Sequence, residues 1–158
     1  MIRKLLIVLL LLISSCGNID ANGNKTEATK TESIENIDFK EDLKIDSLEI
    51  FLAGKPEDHL YDALLYYDVH HPEIVYAQAL LETGHFKSKG CRHKNNLFGI
   101  MKGNKLRTFD HWTESIIYYK EHIQNRYKGG DYYRFLKRIG YASDQHYTAR
   151  VKRMVSKL

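Results

Sequence analysis

The stretch VYAQALLETGHFKSKGCRHKNNLFGIM, residues Val75 to Met101, decides the fold of this chain. Pro72, just before it, suits the first turn of a helix. Three apolar residues recur at the three- and four-residue spacing of one helical stripe: Ile74, Ala77 and Leu81. Gly84 provides a left-handed helix end, after which a polar loop leads to the apolar run 97–100. The stretch therefore predicts a buried helix, a turn, a loop and a second apolar segment.

One carboxylate, Glu82, lies in the last turn of this predicted helix, on a flank shared with Val75 and Gln78 at the edge of the core. The helix dipole and apolar neighbours both disfavour its charged form, so both raise its pKa. Residues 83–109 contain no Asp or Glu but seven cations that act in the opposite direction: Lys87, Lys89, Arg92, Lys94, Lys102, Lys105 and Arg107. The sequence leaves this balance open, but it makes Glu82 a candidate general acid.

The first fifteen residues have the pattern of an export signal. Arg3 and Lys4 precede an uninterrupted apolar run from Leu5 to Ile13, which is too short to span a bilayer. Residues 13–16, ISSC, resemble a bacterial lipobox, which implies that Cys16 becomes the acylated first residue of a lipoprotein. An ordinary signal peptide with an incidental cysteine is the alternative. We therefore expect a protein of the bacterial cell envelope, anchored to a membrane by lipid and facing the periplasm in a Gram-negative cell.

Composition divides the chain into a signal (1–15), an acylated cysteine with a flexible tether (16–46) and one small domain (47–158). The tether is rich in Asn, Lys, Thr, Glu and Asp without a sustained apolar period, and thirty such residues average about 30 Å end to end and reach about 100 Å when extended.

Removal of the two signal cations lowers the net charge from +4 to +2, which is too mild for nucleic-acid binding. With Cys16 acylated, Cys91 has no partner for a disulfide within the chain.

The domain is predicted to be mainly α-helical. A helical stripe follows Pro56, and residues 100–109 predict a small hairpin that turns at Gly103-Asn104. Beyond the hairpin, three short polar residues are predicted to cap helices: Thr113, Asp131 and Asp144. Several histidines and Cys91 lie between residues 70 and 93 but lack the paired spacing of a metal site, so we expect no metal ion and no other cofactor.

Four blocks of sequence occur together in a characteristic order: AQALLETGHFKS (77–88), NNLFGI (95–100), FDHWTESI (109–116) and GYASDQHY (140–147). In order and spacing they resemble the glucosaminidase family of peptidoglycan hydrolases, which includes flagellar-rod and autolysin domains. The resemblance covers about residues 57–158. It implies a lysozyme-like helical fold with a short β-hairpin.

The resemblance also implies roles for single residues. Glu82 matches the family's general acid, which protonates the departing sugar oxygen, and Tyr141 matches the aromatic that meets the N-acetyl group near the cleaved bond. The backbone of the NNLFGI block is implied to form one wall of the saccharide groove. The residues that we predict to bind substrate are Gln78, His85, Asn96, Leu97, Phe98, Gly99, Trp112, Asp144 and Tyr147.

The second catalytic group is open at this point, because the hairpin is short and lacks the acid that longer relatives carry there. Asp110, Glu114 and Asp144 are the acids that could serve, although Glu114 and Asp144 also suit helix N-termini. Alternatively, the 2-acetamido group of the substrate attacks the anomeric carbon itself. We favour such substrate assistance, or Glu114 as a weak base. His85 also replaces the family's usual Trp, and Gln145 replaces a Pro.

The predicted function is an endo-β-N-acetylglucosaminidase that hydrolyses the β-1,4 bond after N-acetylglucosamine in peptidoglycan. We expect a monomer that binds glycan strands and is held at the membrane through Cys16. Two alternatives remain: a muramidase or lytic transglycosylase with the same fold, and a lipoprotein that binds the wall without cleaving it.

Overall fold

A computed structural model describes residues 43–158 of the chain, which contain seven α-helices and one two-stranded hairpin. The helices are α1 (43–53), α2 (Pro56–Tyr66), α3 (Pro72–Thr83), α4 (Lys89–Lys94), α5 (Trp112–His122), α6 (Tyr132–Arg138) and α7 (Tyr147–Val155). A 3-10 turn, Gln124–Arg126, follows α5. The predicted fold class, mainly α with a short hairpin, is confirmed. The predicted signal and Cys16 lie outside the described residues, and no helix within residues 43–158 is long and apolar enough to cross a bilayer.

Helix α3 is the centre of the domain and packs against both α2 and α7. The sequence predicts one buried stripe on it, but most of its circumference is buried, including Val75 and Gln78. A helix that is apolar on nearly all sides is stable only when other elements surround it. Gly84 ends α3 in the left-handed conformation (φ +56°), as predicted. Glu82 therefore projects from the end of a helix that the rest of the domain holds in place.

The predicted hairpin is confirmed as β1 (Met101–Lys102) and β2 (Lys105–Leu106), antiparallel across the turn at residues 103–104. The side chain of Asn96 joins the residues on either side of the hairpin, Ile100 and Arg107. The amide nitrogen of Asn96 donates to the carbonyls of Ile100 and Arg107, both at 2.8 Å, and the amide oxygen accepts from the Ile100 N–H at 2.9 Å. This bracing fixes the path of the loop 95–100 that leads past Glu82.

The helix starts differ from the prediction in two of three cases. Asp131 does cap α6, where it accepts from the Arg134 N–H. Helix α5 instead begins after His111, whose ring nitrogen accepts from the Thr113 N–H, so Thr113 is not the cap. Asp144 is not the cap of α7 either, because its carboxylate accepts from the His146 N–H at 2.8 Å, in the turn before the helix. Asp144 therefore shapes the approach to α7.

Two helices were not predicted. Helix α4 forms in the polar loop, where the Ser88 hydroxyl accepts from the Cys91 N–H at 3.1 Å and Cys91 is buried. Helix α1 includes residues 43–46, which the sequence assigned to the tether, so the predicted boundary between residues 46 and 47 falls inside a helix. Its Phe51 is buried and packs edge-to-face on Tyr66 of α2. This burial makes α1 part of the domain.

Candidate active site

Glu82 stands half-buried at the end of α3, where three effects act on its pKa. Burial is the largest and raises the pKa of the Glu82 carboxyl. The neighbouring Tyr147 hydroxyl, as a hydrogen-bond donor, and the charge of Arg150 lower this pKa. The sequence left open whether burial or nearby cations decide the pKa of Glu82, and in the structure burial is the larger effect, so the pKa is raised. The cation that opposes it is on α7 and not in the basic stretch after α3.

Gly99 lets the loop 95–100 pass directly against the Glu82 carboxylate. A Cβ atom at Gly99 would lie 2.9 Å from Oε2 of Glu82, and the backbone there has φ +63°. Both facts favour glycine, because a side chain would collide with the carboxylate and the left-handed conformation disfavours other residues. The NNLFGI block is thereby placed beside the candidate general acid.

Two tyrosines complete the surroundings of Glu82. The Tyr141 hydroxyl donates to the Phe98 carbonyl at 3.0 Å, which ties the segment before α7 to the loop 95–100. The ring centroids of Tyr141 and Tyr147 lie 5.4 Å apart. Burial, with the Glu82 charge as a further cause, raises the pKa of both hydroxyls. Tyr141 and Tyr147 therefore remain protonated near neutral pH, and each hydroxyl can act as a hydrogen-bond donor.

Several predicted substrate-binding residues lie beneath the site. Gln78 and Leu97 are fully buried, and Phe98 and Trp112 are each only 3 % exposed. The Trp112 indole N–H donates to the Gly54 carbonyl at 3.0 Å. These positions argue against the direct sugar contacts that the sequence predicts for the side chains of Gln78 and Trp112. Leu97 and Phe98 can offer only backbone to a groove, as the resemblance implies.

His85 is exposed and lies just after the end of α3. It lines an open groove of about 470 Å3 together with Tyr76, Leu80, Phe86 and Met154, among others. Glu82 does not line this groove. The structure therefore places His85 in this groove and not among the groups that shift the pKa of Glu82.

The candidate second acids have local roles. Glu114 is exposed, and its carboxylate accepts at 3.2 Å from the N–H of Asp110, the residue before the N-cap of α5. Asp144 forms an ion pair with Arg150 and lines a cavity of about 260 Å3 with Tyr147. Within the described part of the chain, no second carboxylate is among the groups that shift the pKa of Glu82. No three His, Cys, Asp or Glu side chains between residues 43 and 158 are grouped as metal ligands.

Sequence reasoning missed Arg150, the charged neighbour of Glu82. It follows Tyr147 by three residues on α7, so both side chains lie on one helix face. Once Tyr147 was assigned to the site, this spacing could have identified Arg150.

The chain matches the glucosaminidase family model, described as mannosyl-glycoprotein endo-beta-N-acetylglucosaminidase, over residues 57–158. The match includes Glu82, Gly99 and both tyrosines of the site. No curated protein and no solved structure matches the chain significantly.

Proposed function

The chain belongs to the glucosaminidase family of glycoside hydrolases, and from this premise we propose that it hydrolyses the β-1,4 bond after N-acetylglucosamine in peptidoglycan. The observation that carries the proposal is the position of Glu82. Its carboxyl has a raised pKa, lies against the backbone at Gly99 and faces protonated tyrosine hydroxyls. A carboxyl that holds its proton at working pH is what protonation of a departing sugar oxygen requires.

We propose that Glu82 acts together with the substrate's own acetamido group. As the bond from C1 to the departing oxygen breaks, Glu82 gives its proton to that oxygen and the acetamido oxygen bonds to C1. Water then attacks C1, gives one proton to the Glu82 carboxylate and releases the acetamido group, which restores the protonated acid. A retaining enzyme with its own nucleophile needs a second carboxylate about 5–5.5 Å away. Two of the candidate carboxylates are engaged by other groups, which supports substrate assistance: Glu114 accepts from the Asp110 N–H, and Asp144 forms an ion pair with Arg150.

Charge at the hairpin supports an anionic polymer as the substrate. Four cations line a groove of about 470 Å3: Lys94, Lys102, Lys105 and Arg107. The Arg107 N–H donates to the Ile100 carbonyl, so the groove adjoins the loop that carries Gly99. Peptidoglycan strands carry lactyl and peptide carboxylates, which such a groove attracts.

Digestion of purified sacculi is expected to yield glycan fragments with N-acetylglucosamine at the reducing end. Mass spectrometry of the borohydride-reduced products tests this, because only the reducing-end sugar gains hydrogen. N-acetylmuramic acid at that end would make the protein a muramidase, and a 1,6-anhydro end would make it a lytic transglycosylase.

NMR during turnover tests the stereochemistry of the reaction. Substrate assistance predicts that the first product is the β-anomer, and an α-anomer as the first product would rule out substrate assistance.

We propose that Cys16, which lies outside the described residues, anchors the protein to a membrane of the cell envelope. Replacement of Cys16 by serine is expected to move the protein from the membrane fraction to the soluble fraction of its host, because the acyl chains that hold it are lost. Immunoblots of the two fractions provide the measurement. If Cys16→Ser stays in the membrane fraction although its predicted signal has been removed as in the wild type, lipid anchoring at this residue is contradicted.

A further inference from the structure

A chain of buried side chains leads through the core to the candidate active site. Gln124 donates to the Tyr132 hydroxyl at 2.7 Å, and the Tyr132 and Tyr119 hydroxyls lie 3.0 Å apart. Tyr119 donates to the Gln78 amide oxygen at 2.7 Å, and the Gln78 amide nitrogen donates to the Tyr147 hydroxyl at 3.2 Å. All five residues are at most 5 % exposed. Water is therefore excluded from competing with these bonds.

The backbone of His70 determines the donor direction at the far end of the chain. The His70 N–H donates to the Gln124 amide oxygen at 3.0 Å, and the His70 carbonyl accepts from the Gln124 amide nitrogen at 2.7 Å. A backbone N–H can only donate and a carbonyl can only accept, so the Gln124 amide has one possible orientation. Its second N–H must therefore donate to Tyr132.

Each hydrogen bond in the chain determines which group donates and which accepts in the next one. Because the Tyr132 oxygen accepts from Gln124, its own proton is directed at the Tyr119 oxygen. Tyr119 in turn donates to the oxygen of Gln78, which orients that amide with its nitrogen toward Tyr147. A reversed Gln78 amide would place an N–H against the Tyr119 proton and leave the Tyr147 hydroxyl without its donor.

At Tyr147 the chain reaches the neighbourhood of Glu82, because the Tyr147 hydroxyl contacts Gln78, which lies one helical turn before Glu82 on α3. The Tyr147 oxygen accepts from Gln78, so its proton is free to be donated onward, and the two neighbouring acceptors that affect its pKa are Glu82 and the Tyr141 oxygen. The Tyr141 proton is already directed at the Phe98 carbonyl. A charged carboxylate is the stronger acceptor of the two, because charge-assisted hydrogen bonds are roughly twice as strong as neutral ones. The Tyr147 proton is therefore directed at Glu82.

We propose that Tyr119 and Gln78 are positioning residues, which orient the Tyr147 hydroxyl as a donor to the Glu82 carboxylate from the opposite side of the core. The proposal rests on the proposed role of Glu82 as the proton donor. If Tyr119 cannot hold the Gln78 oxygen, the amide can turn by half a rotation. Tyr147 then donates to Gln78, and the ionised form of Glu82 loses a hydrogen bond.

The test compares Tyr119→Phe with Tyr132→Phe in the full-length chain. Both variants remove one buried hydroxyl and keep the ring. Only Tyr119→Phe frees the Gln78 amide, because in Tyr132→Phe the Tyr119 proton still has Gln78 as its acceptor. The other ionisable groups that face Glu82 are Tyr141 before α7 and Arg150 on α7, and neither variant changes them.

The pKa of Glu82 is read directly from the 13C chemical shift of its carboxyl in glutamate-labelled protein, assigned by comparison with Glu82→Gln. We expect the titration of Glu82 to shift to higher pH in Tyr119→Phe and to keep its wild-type midpoint in Tyr132→Phe. Thermal unfolding checks that both variants fold. If the titration midpoint of Glu82 does not shift in Tyr119→Phe, or shifts equally in both variants, the proposal is overturned.

Activity provides a second readout that separates this inference from the proposed function. A general acid works when protonated, so activity falls as pH rises through its pKa. An upward shift in Tyr119→Phe should therefore extend activity to higher pH by the amount seen in the NMR titration. If the carboxyl titration shifts but the pH–activity profile does not follow it, the positioning role of Tyr119 holds and Glu82 is not the proton donor.

Discussion

Replacement of Glu82 by glutamine is expected to lower the rate of sacculus digestion by about 10²–10⁴-fold, the contribution of a positioned general acid. Glutamine keeps the shape of the side chain and its contact with Gly99 but has no acidic proton to give. The released reducing ends, counted over time, measure the loss.

The same variant is expected to fold at least as stably as the wild type at neutral pH. Burial raises the pKa of Glu82, so the ionised carboxyl is disfavoured in the folded state. Its contribution to stability is present below the unfolded-state pKa and is lost as pH rises through the folded-state pKa. Glutamine removes this pH-dependent loss. Glu82 would then be a residue that serves activity at the expense of stability.

Glu121→Gln is the matched control, because it removes the same charge from an exposed position on α5. We expect it to digest sacculi at the wild-type rate. If Glu82→Gln also digests sacculi at that rate, Glu82 is not the general acid. If neither the wild type nor the variants release any fragment while all of them bind sacculi, the protein is a wall-binding lipoprotein.

The second large effect is expected from Gly99→Ala, which should lower activity by about 10²-fold, as misplacement of a catalytic group by about 1 Å does. The new Cβ would lie 2.9 Å from Oε2 of Glu82, so the carboxylate or the loop must move. The backbone at φ +63° adds a destabilisation of roughly 1–2 kcal/mol. Kinetics on sacculi and thermal unfolding of the variant measure the two effects separately.

Gly103→Ala separates the collision from the backbone strain. Gly103 has φ +60°, close to that of Gly99, but a Cβ there would have no atom within 4 Å. It should therefore show a similar loss of stability with activity near that of the wild type. Equal activities in Gly99→Ala and Gly103→Ala would mean that the approach of the loop to Glu82 does not matter for the reaction.

The parts of the fold that could be predicted are those specified by local chemistry. The spacing of Ile74, Ala77 and Leu81 predicted α3, and Gly84 predicted its end, because periodicity and a left-handed cap act over a few residues. The Gly103-Asn104 turn predicted the hairpin for the same reason. Helix α4 was not predicted because half of its residues are Lys or Arg, and what stabilises it is a single Ser88 cap and the burial of Cys91.

The candidate site was predictable in its residues but not in its contacts. The four sequence blocks selected Glu82 and Tyr141, yet the approach of Gly99 to the carboxylate depends on how the loop 95–100 returns to α3. The pKa of Glu82 likewise depends on Arg150, which is 68 positions away along the chain. Gln78, which shares a helix flank with Glu82, was predicted to bind the substrate. Its polar partners, two tyrosines from other helices, appear only after folding.

The indole of Trp112 offers a practical signal. It is the single tryptophan of the chain, and it is held in the core by its bond to the Gly54 carbonyl, between α1 and α2. Its fluorescence should be blue-shifted in the native protein and should move to the red when water reaches the ring. One unlabelled spectrum therefore reports whether α5 and the turn at Gly54 remain joined, and the same optical probe can rank every variant before any wall is digested.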